Sequence, residues 1–247
     1  MFTFVELAAT RDKSHGAVML EYARKISAGI KPLALPGDLL IRSREAIRLR
    51  RTEMDNSISS KWDGLWTAFN DPGIMEDIDY EEIVNWKRQQ EDWFAKMHTN
   101  GRTGVQQHFE ETGSSDCVAY RRFSSFVRQI MAGDHELLEL IIGMSPPDIA
   151  ISEIEARELG ERSEHWRFLL TALAYSIWCR GFKRQNYGRS SSPGSIDVQQ
   201  AIYIAACDRF VTSDVQQFKM ARQIMPFGHK KRHASLLGPQ TWRTMEQ

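Results

Sequence analysis

The sequence predicts an α/β fold, and the observations that predict it lie between residues 195 and 224. Apolar residues at positions 198, 201, 202 and 205 recur with the period of a helix that buries one face, so 197–207 is predicted to be helical. The residues of 209–212 predict a short strand, and 215–224 predicts a second helix. A helix, a strand and a helix in direct succession are typical of α/β proteins.

The composition describes a globular chain without a strong global charge. Its 247 residues are 42% hydrophobic and 10% aromatic, which suffices to bury the core of one large domain or two small ones. Lys plus Arg and Asp plus Glu number 32 each, so a polyanionic partner would have to bind a local basic patch. The longest nearly uncharged apolar run, Phe168–Cys179, is shorter than the roughly 20 residues that cross a bilayer. No secretory signal follows Met1, and we therefore expect a cytoplasmic protein without membrane association.

Two features of the first half allow a functional or a structural interpretation. The predicted helix Leu39–Arg51 carries Arg44, Arg48 and Arg51 on one face, where they form a positive stripe. Such stripes bind phosphates in some proteins, but they are more often a solvated helix face. The aromatic residues of 54–113 could stack on bases, although their helical spacing favours packing against the main body.

Asp197 and Asp214 are the candidate catalytic acids. A helix of about ten residues rises roughly 15 Å, and a strand of about five residues covers roughly 16 Å. If the strand returns along the helix, Asp214 at its carboxyl end lies beside Asp197 in the first turn. Two carboxylates at one crevice suit Mg²⁺ or Mn²⁺, whose bound waters can attack a phosphodiester. Thr212 and Ser213 are placed to orient Asp214 on the substrate side, whereas Asp208, near the far end of the helix, is interpreted as structural.

Both acids also have a structural interpretation. Asp197 in a first helical turn complements the helix dipole without a catalytic role, and Asp214 is placed to cap the helix 215–224. Other metal and nucleotide sites are not favoured, because no histidine pair has zinc-ligand spacing and no glycine-rich phosphate loop is present.

The stretch from Asp197 to Asp214, which contains AIYIAACDRFVTSD, resembles the C-terminal half of PIN-like nuclease domains. That family has an acid at a helix start, a small-residue helix, a hydrophobic strand and then Thr-x-Asp, which Thr212-Ser213-Asp214 matches. The segment FVELAATRD is also similar to the PIN helix that carries an acid in a Glu-Leu pair, which maps this role onto Glu6. The resemblance covers about 30 C-terminal residues and a short N-terminal patch.

The resemblance implies a Rossmann-like α/β/α sandwich with a central parallel sheet and a large helical insertion. Residues 1–53 and 148–225 would be the two parts of the PIN-like domain. Residues 54–147 would be the insertion, and 226–247 a basic tail that is partly disordered.

The same resemblance implies a function. It predicts Mg²⁺ or Mn²⁺ held by Glu6, Asp197 and Asp214, with hydrolysis of RNA as in toxin–antitoxin ribonucleases. The phosphates of the RNA would be engaged by Arg44, Arg48 and Arg180. A cognate antitoxin protein and a second copy of the chain, in a homodimer, are the protein partners to consider.

The chain departs from the family at its start. A PIN domain opens with a strand that ends in an Asp-rich motif and supplies the first metal ligand. Nothing of that kind precedes Phe2, so the chain is either truncated or lacks that acid.

Three hypotheses about the function therefore remain. The first is a metal-dependent endoribonuclease, and the second is a catalytically inactive PIN-like module that binds RNA or protein. The third is a helical domain unrelated to nucleases in which the acids are caps.

Overall fold

The computed structural model describes residues 33–34, 36–51, 122–132, 152–181 and 195–236, together with single helical positions between 18 and 25 and between 81 and 111. This part of the chain is mostly helical and contains a small parallel sheet of two strands, in agreement with the predicted α/β class. Most of the expected insertion 54–147 lies outside the described residues. In chain order the elements are α1 (Pro36–Arg48), α2 (Phe123–Ala132), α3 (Glu153–Arg162), α4 (Glu164–Gly181), α5 (Ser195–Gln200), a first 3₁₀ helix (Ala201–Ala206), β1 (Arg209–Thr212), α6 (Val215–Ile224), a second 3₁₀ helix (Met225–Phe227) and β2 (His233–Leu236).

Helix α4 forms the centre of the core. Every residue from Phe168 to Cys179 is buried, because α1, α2, α3, α5, α6 and both 3₁₀ helices pack around it. A helix that is apolar on all sides is stable in water only when it is covered in this way. Trp166 also donates its indole N–H to the carbonyl of Leu40 at 3.1 Å, which ties α4 to α1. No helix among the described residues is long and apolar enough to cross a membrane.

The apolar spacing from Trp166 to Ile177 predicts one helix from Glu161 to Gly181, but the structure interrupts it at Ser163, which separates α3 from α4. Ser163 is extended, with φ −116° and ψ 121°, and its hydroxyl accepts the backbone N–H of Trp166 at 3.4 Å. Arg167 donates to the carbonyl of Gly160 at 2.7 Å and to that of Glu161, so it satisfies the carboxyl end of α3. The break therefore has a cap on both sides. At the start of α3, Ser152 and Glu155 have the spacing that predicts a capping box, and this cap is confirmed, since Ser152 accepts the N–H of Glu155 at 3.3 Å.

Strands β1 and β2 pair in parallel and are connected through α6. Arg209 lies opposite His233, and Thr212 lies opposite Leu236. The predicted bounds of the strand 209–212 and of the helix 215–224 are confirmed. Strand β2 was not predicted, because HASL shows no strong apolar alternation and lies in the segment interpreted as a tail. Residues 226–236 of the segment interpreted as a partly disordered tail are ordered in the second 3₁₀ helix, the following loop and β2, and 237–247 lie outside the described residues.

Arg232 fastens the start of β2 to the core. Its side chain is 2% exposed and forms an ion pair with Glu164, whose side chain is 16% exposed. Its guanidinium also donates to the carbonyl of Ala205 at 3.0 Å and to that of Cys207 at 3.1 Å, and it lies 5.3 Å from the ring centroid of Phe168. Arg232 therefore joins α4, the end of the first 3₁₀ helix and the residues before β2.

Glu164 completes this junction by accepting backbone donors. Its Oε1 accepts the N–H of His229 at 2.6 Å and that of Lys230 at 3.4 Å. Burial by itself would raise the pKa of Glu164, but the hydrogen bonds from Arg232 and His229 outweigh it and lower the pKa to about 2. Gly228 lets the loop approach this closely, since a Cβ there would lie 2.7 Å from Cζ of Phe168.

We expect Glu164→Gln to lower the free energy of unfolding by about 3 kcal/mol, because it leaves the buried guanidinium of Arg232 without its counter-ion. Chemical denaturation checks this value. The matched control is Glu158→Gln, which breaks a pair with Arg162 whose side chains are 54% and 48% exposed. This variant should change stability by less than about 0.5 kcal/mol. Equal effects of the two substitutions would contradict the structural role of Glu164.

Acid should destabilise the fold in two successive pH windows that overlap slightly. Burial lowers the pKa of His165 from 6.5 to about 4, and its Nε2 has no hydrogen-bond partner among the described residues. The unfolded chain thus binds more protons than the folded protein between pH 6.5 and 4 through His165, and between 4.5 and about 2 through Glu164. Stability therefore falls as the pH is lowered, with a slope approaching about 1.4 kcal/mol per pH unit for one site. The free energy of unfolding, measured across pH, checks this assignment. In His165→Gln its pH dependence should become smaller in the upper window and stay unchanged in the lower one. An unchanged slope in the upper window would disprove the role of His165.

Candidate functional site

Asp214 lies directly after β1 and caps α6. Its Oδ1 accepts the N–H groups of Gln216 at 2.6 Å and Gln217 at 2.7 Å. Its own N–H donates to the hydroxyl of Thr212 at 3.0 Å, so Thr212 orients the acid as predicted. Ser213 is exposed. The capping interpretation of Asp214 is therefore confirmed. The cap does not exclude metal binding by the same side chain, because Oδ2 accepts no hydrogen bond from the described residues.

Asp197 lies in the first turn of α5 and is joined to Asp214 through Gln217. The side-chain amide of Gln217 donates to Oδ1 of Asp197 at 3.3 Å and to Oε1 of Gln200 at 2.5 Å. Gln217 is 6% exposed, and its backbone N–H is the one that Asp214 accepts. Gln217 therefore hydrogen-bonds to both predicted acids, to Asp214 through its backbone N–H and to Asp197 through its side-chain amide.

Gln217 itself was not predicted, although the sequence contains a signal for it. Asp214-x-x-Gln217 has the spacing of a capping box, in which the glutamine side chain normally returns to the N–H of the cap residue. Here Thr212 already accepts that N–H, so the amide of Gln217 is free to turn toward Asp197.

The helix predicted for 197–207 is divided in the structure. Helix α5 ends at Gln200, and a 3₁₀ helix continues over Ala201–Ala206 with Ala201, Ile202 and Ile204 buried. A 3₁₀ helix is narrower and longer per residue than an α-helix, and the small residues of this segment pack closely against α4. Asp208 is exposed at the far end, and its carbonyl accepts the N–H of His233 at 3.0 Å.

The predicted phosphate-binding arginines have different surroundings. Arg44 makes two hydrogen bonds to the carboxylate of Glu155, at 2.5 and 2.7 Å, and so joins α1 to α3. Arg48 approaches the same carboxylate at 3.4 Å and its side chain is 65% exposed. Arg44 is therefore part of neither a solvated helix face nor an open phosphate site, since a bidentate pair within the fold occupies its guanidinium. The side chain of Arg180 lies outside the described residues.

The third predicted ligand cannot be placed beside the two acids. Glu6 lies outside the described residues. Among the residues that are described, no three His, Cys, Asp or Glu side chains form a group that could hold a metal ion. The described part of the acidic site therefore consists of Asp197 and Asp214.

A second feature lies at the other end of α6, where the chain forms an open concavity of about 550 Å³. We call it the basic concavity, because the described residues that line it include no Asp or Glu. The distance along α6 from Asp214 to Arg222 is about 12 Å, at 1.5 Å per residue. Its lining residues are Phe218, Arg222, Met225, Pro226, Gly228, His229, Lys230, Lys231, Arg232, His233 and Ala234.

We expect Asp214→Ala to destabilise the protein by about 1 kcal/mol, because α6 loses its side-chain cap. Asp214→Asn is the matched control, since an asparagine oxygen can accept the same two N–H groups and should preserve stability. Thermal unfolding of both variants checks the difference. Loss of stability in Asp214→Asn would show that the negative charge, rather than the cap, stabilises α6.

The chain matches no protein-family model, no curated protein and no solved structure. What it does must therefore be argued from its own residues and their geometry.

Proposed function

We propose that this protein is a metal-dependent endoribonuclease of PIN-like type that hydrolyses RNA phosphodiester bonds at Asp197 and Asp214. The observation that carries the proposal is that Gln217 hydrogen-bonds to both acids, of which Asp214 lies just beyond the carboxyl end of β1. Ligands of open α/β sheets bind outside the carboxyl ends of their strands. In this proposal, β1, α6 and β2 are part of a larger α/β/α sandwich with a parallel sheet.

The donor set suits Mg²⁺ or Mn²⁺. Both acids offer hard carboxylate oxygens, and Mg²⁺ is often held by only one or two carboxylates while it keeps several waters. Asp214 has Oδ2 available among the described residues, and Glu6 would be the third ligand. Mg²⁺ or Mn²⁺ bound at these acids would supply activation of a water molecule and neutralisation of charge on the phosphate.

The protein's own residues position these acids. Thr212 accepts the N–H of Asp214 and fixes the turn from β1 into α6. Gln217 is buried and holds Asp197 by a hydrogen bond from its amide. Preorganised ligands lose little conformational freedom when a cation and a phosphate arrive, which favours binding and reaction.

A non-catalytic module that binds RNA or protein is the second candidate. It is favoured by the hydrogen bonds that both carboxylates already accept, Asp214 from the start of α6 and Asp197 from Gln217. In this function the two acids would serve the fold alone, and a partner such as RNA or a cognate antitoxin would bind elsewhere.

The variant Asp214→Asn separates the two functions. The nuclease proposal predicts that it lowers Mn²⁺-dependent cleavage of single-stranded RNA by at least about 100-fold, since loss even of an outer-shell partner costs 10- to 100-fold. Gel analysis of labelled RNA measures cleavage, and thermal unfolding verifies that the variant is folded. Asp208→Asn is the control, because the exposed Asp208 lies away from the pair and its loss should leave cleavage unchanged.

Undiminished cleavage by Asp214→Asn would disprove the nuclease proposal. Wild-type protein that binds RNA but does not cleave it with Mg²⁺ or Mn²⁺ would support the binding module instead.

A further inference from the structure

We propose that the basic concavity is a binding site for single-stranded RNA, separate from the acidic pair. The inference rests on RNA being the ligand of the proposed function, but it does not require that the RNA be cleaved. It assigns a role to the segment 228–234, which the acidic site does not use.

The first argument is unbalanced charge. Arg222, Lys230 and Lys231 line the basic concavity, and none of them forms an ion pair with a carboxylate of the described residues. Glu164 contacts this loop, but its carboxylate is turned inward onto Arg232. Within the described part of the chain, three positive charges thus line a concave surface without an ion-pair partner, and such a surface attracts a polyanion.

The second argument is an aromatic ring among the cations. Phe218 is partly buried in the lining, and Cζ of Arg222 lies 5.8 Å from the centroid of its ring. Aromatic and guanidinium surfaces stack on bases while cations contact the phosphates, which is the combination used by single-strand-binding sites. The combination of cations and an aromatic ring therefore favours single-stranded RNA, whose phosphates and bases can use both.

The third argument is that the site is formed before a ligand arrives. The loop is held by hydrogen bonds from His229 and Lys230 to Glu164 and by the buried side chain of Arg232. Pairing with β1 then begins at His233. A preformed surface loses less conformational entropy on binding than a mobile basic tail would.

The position of the basic concavity defines what it can do. Arg222 lies about 12 Å along α6 from Asp214, which is too far for direct contact with a reacting phosphate at the acids. A strand that reached both sites would run along α6, so the concavity would hold the RNA outside the reacting position. Its loss should affect binding and KM more than the chemical step.

The test is the triple variant Arg222→Gln, Lys230→Gln, Lys231→Gln. Binding of a fluorescein-labelled single-stranded RNA is measured by anisotropy in EDTA, so that no cleavage occurs, over a series of salt concentrations. We expect the affinity for RNA at about 0.1 M salt to fall about tenfold or more. The negative slope of log K against log salt should become less steep by about 2, because each of the three lost phosphate contacts contributes about 0.7. The control removes three cations outside the lining by Arg128→Gln, Arg162→Gln and Lys219→Gln, and should change both quantities much less.

A second variant distinguishes RNA from a polyanion without bases. Phe218→Leu should weaken binding of RNA several-fold without changing the salt slope, and should leave binding of heparin unchanged. Thermal unfolding confirms that each variant is folded. If the triple variant binds RNA like the control, the site is disproved; if Phe218→Leu has no effect on RNA, a general polyanion site replaces the assignment to RNA.

Cleavage assays keep this inference separate from the nuclease proposal. If wild-type protein cleaves no RNA but the triple variant binds RNA more weakly, the nuclease proposal fails and the RNA site stands. If cleavage depends on Asp214 but the triple variant keeps wild-type affinity and KM, the RNA site fails and the nuclease proposal stands.

Discussion

The ion pair between Arg232 and Glu164 holds the described α/β unit together. A parallel sheet of two four-residue strands is marginal by itself. Arg232, the residue before β2, is joined to α4 by its ion pair with Glu164. It also donates hydrogen bonds to the carbonyls of Ala205 and Cys207, which lie in the chain just before β1. Burying these charges is costly, and the cost is offset because Glu164 accepts two backbone N–H groups while the guanidinium donates to backbone carbonyls.

Helix α6 connects this junction to both candidate sites. Met220, Ala221 and Ile224 are buried and fix the helix against the core. The acids lie at its amino end and the cations of the basic concavity at its carboxyl end, an arrangement that also complements the helix dipole. The same segregation of charge that stabilises α6 thus places the acids of the proposed metal site and the cations of the proposed RNA site at opposite ends of the helix.

Local patterns made part of the acidic site predictable. The bounds of β1 and α6 and the cap that Asp214 supplies to α6 all follow from local residue patterns. The interruption at Ser163 was not predicted, because it depends on hydrogen bonds from Arg167 to the end of α3. The 3₁₀ segment after Gln200 was not predicted either, because it depends on close packing against α4. Arg44 was expected at a phosphate and is paired with Glu155, a partner more than one hundred residues away in the chain.

The sequence by itself determined the helix–strand–helix order around the acids, since each of these elements depends on neighbouring residues. Only the tertiary structure decided that 233–236 form a strand, that Gln217 joins the two acids, and that Arg222 and Phe218 meet the lysines of the following loop. The physical reason is that parallel pairing and a buried ion pair are contacts between segments distant in sequence, whose energies depend on burial that no local pattern records.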